Sequence, residues 1–307
     1  MPKNILITGG SGLVGTRLTE MLLQKGYQVS HLSRTAGEDG PIKVFQWDVE
    51  KGIVDPKAFE SIHAIIHLAG AGIADRPWSE KRKREILESR THSTALLEKS
   101  LKDIPNKVEA FISASAIGYY GYAGSDHVFR EEDQPASDFL ANVVREWEHA
   151  VDRISSSNIR VAKLRIGILL SEKGGALVEL ARPVRLFVGS SLGSGEQYVS
   201  WIHIDDVCAM FIHALENNLN GVYNAVAPEP VTNKELTKAI ARTLGRPLWL
   251  PNVPAFILKM VLGEMVDLVI NGSKVSPAKI ERTGFQYRFP DLNEALKDLL
   301  KKSNVPA

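Results

Sequence analysis

Asn4-Ile-Leu-Ile-Thr8, followed at once by Gly9-Gly10-Ser11-Gly12-Leu13-Val14-Gly15, is the stretch that decides the fold. A short apolar run that ends in glycines is the pattern of a strand covered on both faces of a parallel sheet. Beyond the glycines, Leu13, Leu18, Met21 and Leu22 recur at helical spacing, so a helix is predicted from Leu13 to Lys25, stopped by Gly26. Glycines between strand and helix let backbone N–H groups come close to a pyrophosphate, where a Cβ would hold it off. The helix N-terminus adds about half a positive charge. A glycine turn by itself marks only a strand-to-helix connection; the strand before it and the helix after it give it meaning.

Working outward, Tyr27 to Leu32 reads as a second strand, and its end selects the dinucleotide. An NAD site wants an acid about 20 residues past the glycines for the ribose hydroxyls. Here Ser33-Arg34 stands in that place, and a guanidinium with a hydroxyl suits a 2′-phosphate, so NADP(H) is the cofactor expected. Glu38 and Asp39 are the acids that could still serve an NAD ribose. Further strands are predicted at Lys43 to Gln46, Ala64 to Leu68, Ala110 to Ser113 and Arg160 to Leu164, with helices at Ser79 to Leu101 and Phe139 to Ile154. Strands alternating with helices imply an α/β Rossmann fold, a doubly wound parallel sheet covered on both faces. After about Leu170 the rhythm breaks at Gly174-Gly175 and Gly189 to Gly195. Helices then follow at Asn233 to Leu244, after Pro254, and at Leu292 to Lys301. The expected division is residues 1–170 as the NADP-binding domain and 171–307 as a smaller C-terminal substrate lobe, partly threaded back into the first.

The 307 residues carry a net charge of +1 with both signs scattered, which argues against a nucleic-acid or membrane-surface partner. Cys208 is the single cysteine, so no internal disulfide forms, and no Cys/His spacing suggests a metal. A strand starting at Asn4 leaves no room for a signal peptide. The most apolar helix candidate, Pro254 to Ile270, is interrupted by Lys259, Glu264 and Asp267, and a cytoplasmic protein is expected. The basic run Lys81 to Arg84 reads as a solvated helix face.

These motifs resemble the extended short-chain dehydrogenase/reductases, and more closely their atypical epimerase-like branch, the NAD-dependent epimerase/dehydratase or cell-division-inhibitor homologue type. The resemblance rests on the Gly9 to Gly15 loop, Asp48, His67-Leu68-Ala69-Gly70 and Ser113-Ala114-Ser115-Ala116 with Tyr119-Tyr120-Gly121. Ser200 to Asp206 and Tyr223 to Pro228 extend it, and Arg76-Pro77-Trp78-Ser79 through Glu88-Ser89-Arg90 is particular to the branch. It implies Gly9, Gly12, Leu13, Val14 and Gly15 at the pyrophosphate, with Ser33 and Arg34 at the 2′-phosphate. Asp48 would meet the adenine amino group, and Leu68, Ala69 and Gly70 the ribose and pyrophosphate side.

In that superfamily a tyrosine moves the proton and a lysine four residues on lowers its pKa, because a free tyrosine, pKa about 10, is a poor base at neutral pH. Aligning Pro135 to Phe139 with the usual run into the tyrosine puts Phe139 at the tyrosine and Val143 at the lysine, neither of which carries a proton. Ser115 fits the serine that orients the substrate oxygen, and Arg90 falls where an asparagine would be. Ser115, Tyr120 and Arg90 are therefore the catalytic candidates, with Tyr119 and His203 behind them. Tyr120 reads more readily as a core or pocket-wall tyrosine than as a catalyst, His203 as a structural histidine, and Asp205 and Asp206 as caps of a helix from Val207. The two readings are an NADP-dependent oxidoreductase or epimerase-like enzyme on a small polar substrate, and a non-catalytic NADP(H)-binding redox sensor or regulator. A homodimer is the assembly such a fold would allow.

Overall fold

The computed structural model describes residues 4–121, 127–157 and 159–301. β1 (Asn4–Thr8) sits at the centre of the main sheet with Ile5, Leu6 and Ile7 fully buried, which is why its apolar run does not alternate. α1 (Leu13–Gln24) follows the glycine turn. In chain order come β2 (Gln28–Ser33), β3 (Gly37–Asp39), β4 (Ile42–Asp48), β5 (Ile53–Val54), β6 (Ala64–His67), α2 (Glu80–Asp103), β7 (Ala110–Ala116), β8 (Val128–Phe129), α3 (Phe139–Asp152), β9 (Arg160–Ile166) and β10 (Ile168–Leu170). Beyond them lie α4 (Ala176–Arg185), β11 (Tyr198–Val199), β12 (Trp201–His203), α5 (Ile204–Glu216), β13 (Gly221–Ala225), β14 (Val231–Thr232) and α6 (Asn233–Leu244). The chain ends with α7 (Ala255–Leu262), α8 (Asp267–Ile270), β15 (Lys274–Val275), α9 (Ala278–Glu281) and α10 (Leu292–Lys301).

The main sheet runs β13-β9-β7-β6-β1-β2-β4-β3, with β5 pairing β4 off this path. Its ladders are parallel except where β3 and β5 meet β4. From β1 the chain steps one way to β2 and β4, then returns past β1 to β6, β7 and β9. Right-handed crossovers in opposite directions put helices on both faces, α1 with α5 and α2 with α3. The strand order therefore reverses beside β1, and a crevice opens at the carboxyl ends of β1 and β6, the site where α/β sheets of this topology bind ligands.

This is the mixed α/β Rossmann architecture that the strand–helix alternation implies. The strand Gly221–Ala225 was not read from the sequence. It pairs with Ala162 to Ile166 of β9, so residues far past 170 complete the sheet. The glycines at 174 and 175 mark the start of α4, which carries Pro183 inside it. The helix expected after Pro254 is broken: α7 ends at Gly263, whose φ of 57° and ψ of −133° no continuing helix can adopt, and a 3₁₀ turn leads into α8. No helix among the described residues is long and apolar enough to cross a membrane.

Helix α1 lies very close to the strand it follows. A Cβ on Gly15 would overlap the Gly9 carbonyl oxygen and the backbone of Gly10, whereas one on Gly12 would meet only Gly9 O, at 3.3 Å. Gly15→Ala should force α1 away from β1 and destabilise the protein by about 1–3 kcal/mol, as overpacking does, with Gly12→Ala clearly milder. Urea denaturation of both variants checks this, and equal losses would show that the close approach is not tightly held.

Candidate functional site

The glycine loop ends on Gly12, which is the N-cap of α1 and donates its N–H to Gly9 O at 3.1 Å. The cap has no side-chain hydrogen bond and the first turn holds no acid, so the free N–H groups of α1 face the crevice with their partial positive charge intact. Val14 is half-buried and Leu13 exposed, lying against Gly174 across the mouth. An adjoining cleft of about 290 Å³ has Ser11, Gly12, Leu13, Lys173, His203 and Asp205 in its wall. Beneath the loop, the Thr19 hydroxyl donates to Gly15 O at 2.7 Å and so accepts from His31 Nε2 at 2.9 Å. Burial pushes the His31 pKa down, which keeps that imidazole neutral. Sequence reading missed His31; its signal was its place two residues after Val29, on the same face of the strand.

At the end of β2, Ser33 is half-buried and Arg34 exposed, and Arg34 forms no ion pair among the described residues; its carbonyl accepts from Gln46 Nε2 at 3.3 Å. Glu38 and Asp39 are exposed on the antiparallel β3, paired opposite Lys43 and Ile42. Asp48 turns onto Lys51, accepting from its N–H at 3.1 Å and facing its Nζ at 2.9 Å, contacts that hold the carboxyl below its usual pKa. Leu68 and Ala69 are half-buried and Gly70 exposed. The Thr8 hydroxyl accepts from the N–H of Leu68 and of Ala69, both at 3.2 Å, so its proton goes to His67 Nδ1 at 2.7 Å. His67 Nε2 then carries the hydrogen donated to Thr94 Oγ1 at 3.1 Å, since Thr94 gives its own to Arg90 O at 2.7 Å. Complete burial, helped by the nearby Arg90 charge, lowers the His67 pKa to about 3.

Ser115 and Tyr120 are both buried and meet at one ion pair. Ser115 is 3% exposed and donates to Glu148 Oε1 at 2.6 Å. Glu148 receives both Nε and Nη2 of Arg165, at 2.8 and 2.9 Å, and lies 3.8 Å from Lys163. Burial alone would raise the Glu148 carboxyl, but Arg165, Ser115 and Lys163 outweigh it and hold it ionised. Tyr120 is 2% exposed; its hydroxyl donates to Asn224 Oδ1 at 2.7 Å and accepts from Arg165 Nη1 at 2.9 Å. Burial pushes its pKa up to about 12 against the pull of Arg165. Both hydroxyl protons are engaged inside this buried network. Tyr119 stacks on the same guanidinium, 3.5 Å from ring centroid to Arg165 Cζ.

Arg90 lies on the inner side of α2, where Nη1 donates to Ala71 O at 3.0 Å and Ile86 O at 2.9 Å, and the guanidinium lies over Trp147 at 5.2 Å. Burial and the neighbouring Arg82 lower its pKa to about 10. The basic run is not a solvated face throughout: Arg82 is buried, pairs with Glu85 and Asp75, and donates to Gly72 O. Ser89 accepts from Ala71 N at 3.0 Å and Trp78 donates to Ile73 O at 2.8 Å, so the branch-specific segment ties down the loop leaving β6. Phe139 opens α3 and meets Trp78 edge-on at 5.0 Å, while Val143 is core. His203 is the N-cap of α5, its Nδ1 accepting from Asp205 N at 3.0 Å. Asp205 and Asp206 lie in the first turn and bind Arg17, Arg288 and the Phe289 N–H instead of capping. Among the described residues no cluster of His, Cys, Asp or Glu could hold a metal ion.

Residues 5–225 match the model of the NAD dependent epimerase/dehydratase family, and residues 253–299 that of a domain of unknown function, DUF1731. The chain is 37% identical to epimerase family protein YfhF of Bacillus subtilis over 97% of its own length and 98% of the relative's. It is 34% identical to human epimerase family protein SDR39U1, covering 96% and 99%. The crystal structure of that human protein (isoform 2) with NADPH superposes with a TM-score of 0.88 at 32% identity, over 98% of this chain and all of that one.

Two measurements test this geometry. Glu148→Gln leaves Arg165 buried without its counterion and should cost about 3–5 kcal/mol, whereas Ser115→Ala should cost about 1–3 kcal/mol; urea midpoints that rank them the other way would remove the ion pair from the centre of the network. His67 has its folded pKa depressed, so the unfolded chain binds more protons between pH 6.5 and about 3, and stability falls as pH drops through that window. At pH 5 the loss relative to pH 7 is about 2 kcal/mol. His67→Gln should shed that part of the pH dependence in paired urea titrations, and an unchanged pH dependence would mean the imidazole is not held neutral.

Proposed function

Because the chain belongs to the NAD dependent epimerase/dehydratase family, we propose that it binds NADP(H) in the crevice beside β1 and acts as an oxidoreductase or epimerase-like enzyme on a small polar substrate. The observation that carries this reading is the pairing of an uncapped, acid-free α1 N-terminus with an exposed Arg34, and no acid, at the end of β2. Gly9, Gly12, Leu13, Val14 and Gly15 hold the pyrophosphate, whose charge the α1 N–H groups offset. Ser33 and Arg34 take the 2′-phosphate. Asp48 meets the adenine amino group with the acceptor sites that Lys51 leaves open, and Leu68, Ala69 and Gly70 line the ribose. The NADPH held by the human relative supports the same choice of dinucleotide.

Bound there, the cofactor supplies or accepts a hydride. The chain's own contribution departs from the ordinary route, since Phe139 and Val143 stand where the resemblance puts the tyrosine and lysine. Phe139 closes the wall with Trp78, a contact that excludes water but moves no proton. The committed protons of Ser115 and Tyr120 favour a second reading, in which NADP(H) is bound without turnover by a redox sensor or regulator.

Titrating NADPH and NADH into the protein and into Arg34→Ala tests the cofactor choice. Loss of Arg34 should weaken NADPH by about 1.5–3 kcal/mol, the worth of a charged hydrogen bond, and leave NADH unchanged; equal losses would show that Arg34 does not select. NADPH oxidation against a panel of small carbonyl compounds then separates enzyme from regulator, tight binding with no turnover deciding for the second.

A further inference from the structure

The arginines whose side chains fold into this protein differ in their partners: Arg165, Arg82 and Arg17 have carboxylates, whereas Arg160 and the half-buried Arg90 rest on carbonyls. Arg165 grips Glu148, Arg82 faces Glu85 and Asp75, and the partly buried Arg17 holds Asp205 and Glu20. Arg160 spreads over the carbonyls of Ala214, Leu215 and Leu219 at the negative end of α5, with Glu109 nearby. Arg90 has no carboxylate within 4 Å among the described residues, and the charge it feels is another cation, Arg82. Both of its hydrogen bonds come from Nη1 and go to neutral carbonyls. Nε and Nη2 find no acceptor among the described residues, leaving one edge of the planar fork unused. That guanidinium lies against Gly70, its Cζ 3.1 Å from where a Cβ of Gly70 would stand, and Gly70 is exposed at the crevice.

Arg90 is half-buried, and a guanidinium partly withdrawn from water, with one edge open and no counterion, gains a charged hydrogen bond when an anion arrives. We propose that Arg90 is the anchor for an oxyanion of the substrate, a carboxylate or a phosphate group, bound on the Gly70 side of the crevice. The assignment rests on the cofactor reading above in one respect: the dinucleotide phosphates belong to the α1 N-terminus and Arg34, which leaves Arg90, across the switch point on the β6 side, to the second ligand. The geometry of the fork favours a planar or tetrahedral oxyanion, to which two parallel N–H groups donate together.

The test uses the full chain with Arg90→Gln, which keeps a donor for the loop carbonyls, and Arg90→Lys, which keeps the charge without the fork. NADPH affinity is measured by fluorescence titration. Thermal unfolding is then followed with added inorganic phosphate or malonate against chloride at equal ionic strength, with and without NADPH. The expected result is stabilisation of the wild type by phosphate or malonate, an anion affinity about 10–100-fold weaker in Arg90→Gln, an intermediate one in Arg90→Lys, and NADPH affinity unchanged throughout. No effect of either anion on the wild type, or the same effect in both variants, overturns the proposal. So does a large loss of NADPH affinity in Arg90→Gln, which would give the guanidinium to a cofactor phosphate. A wild type that binds anions through Arg90 but does not bind NADPH would defeat the cofactor reading alone.

Discussion

The ion pair between Arg165 on β9 and Glu148 on α3 holds the carboxyl end of the sheet together. Both side chains are almost wholly buried, at 3% and 6% exposed, and they meet through two parallel hydrogen bonds. A pair so placed is weak evidence of net stability, because desolvating two charges offsets most of their attraction. What it gives is geometry. Glu148 fixes Ser115 at the end of β7, Arg165 fixes Tyr120 and underlies Tyr119, and Tyr120 reaches Asn224 on β13. Four elements that approach from different parts of the chain are thus referred to one guanidinium. Removing either charge would leave its partner stranded, so the arrangement is defended far more strongly than its net energy suggests.

That network also explains which parts of the protein the sequence made legible. Asn4 to Thr8, the glycines after it and the helix from Leu13 follow from local rules: apolar runs, helical spacing and a stop at Gly26. The structure reproduces them to within a residue. Arg34 at the end of β2 could be read for the same reason, since its place depends only on where the strand stops. Ser115 and Tyr120 could be found by motif but not understood, because their partners lie 33 and 104 residues away. Arg82 looked like one of four solvated cations, and only the loop folded back beneath α2 shows that it is buried. The strand Gly221–Ala225 was hidden for a related reason: among the described residues its sheet neighbour is β9, more than fifty residues earlier.

Seen as a field, the crevice grades from one side to the other. The α1 N-terminus contributes a partial positive charge with no acid in its first turn, and Arg34 adds a full one at the rim. The other side has Arg90, held at the loop by carbonyls. The histidines close to these groups are kept neutral by burial, His31 under the glycine loop and His67 under Leu68 and Ala69. The site's charge therefore changes little across the physiological pH range, and its affinity for anions should depend on ionic strength more than on acidity.

β13 has a consequence for how the molecule comes into being. During synthesis the ribosome delivers β1 through β9 before Gly221 exists, and the flank of β9 that β13 will cover is then open to water and to other chains. Over the same interval Tyr120 lacks Asn224, and the buried charges of Arg165 and Glu148 are assembled without the strand that completes their enclosure. A nascent chain stalled before that point carries an unpaired, apolar parallel edge, the kind of surface on which aggregation starts. Chaperone demand should accordingly be highest in the stretch of translation between β9 and β13, and should fall once Asn224 leaves the exit tunnel.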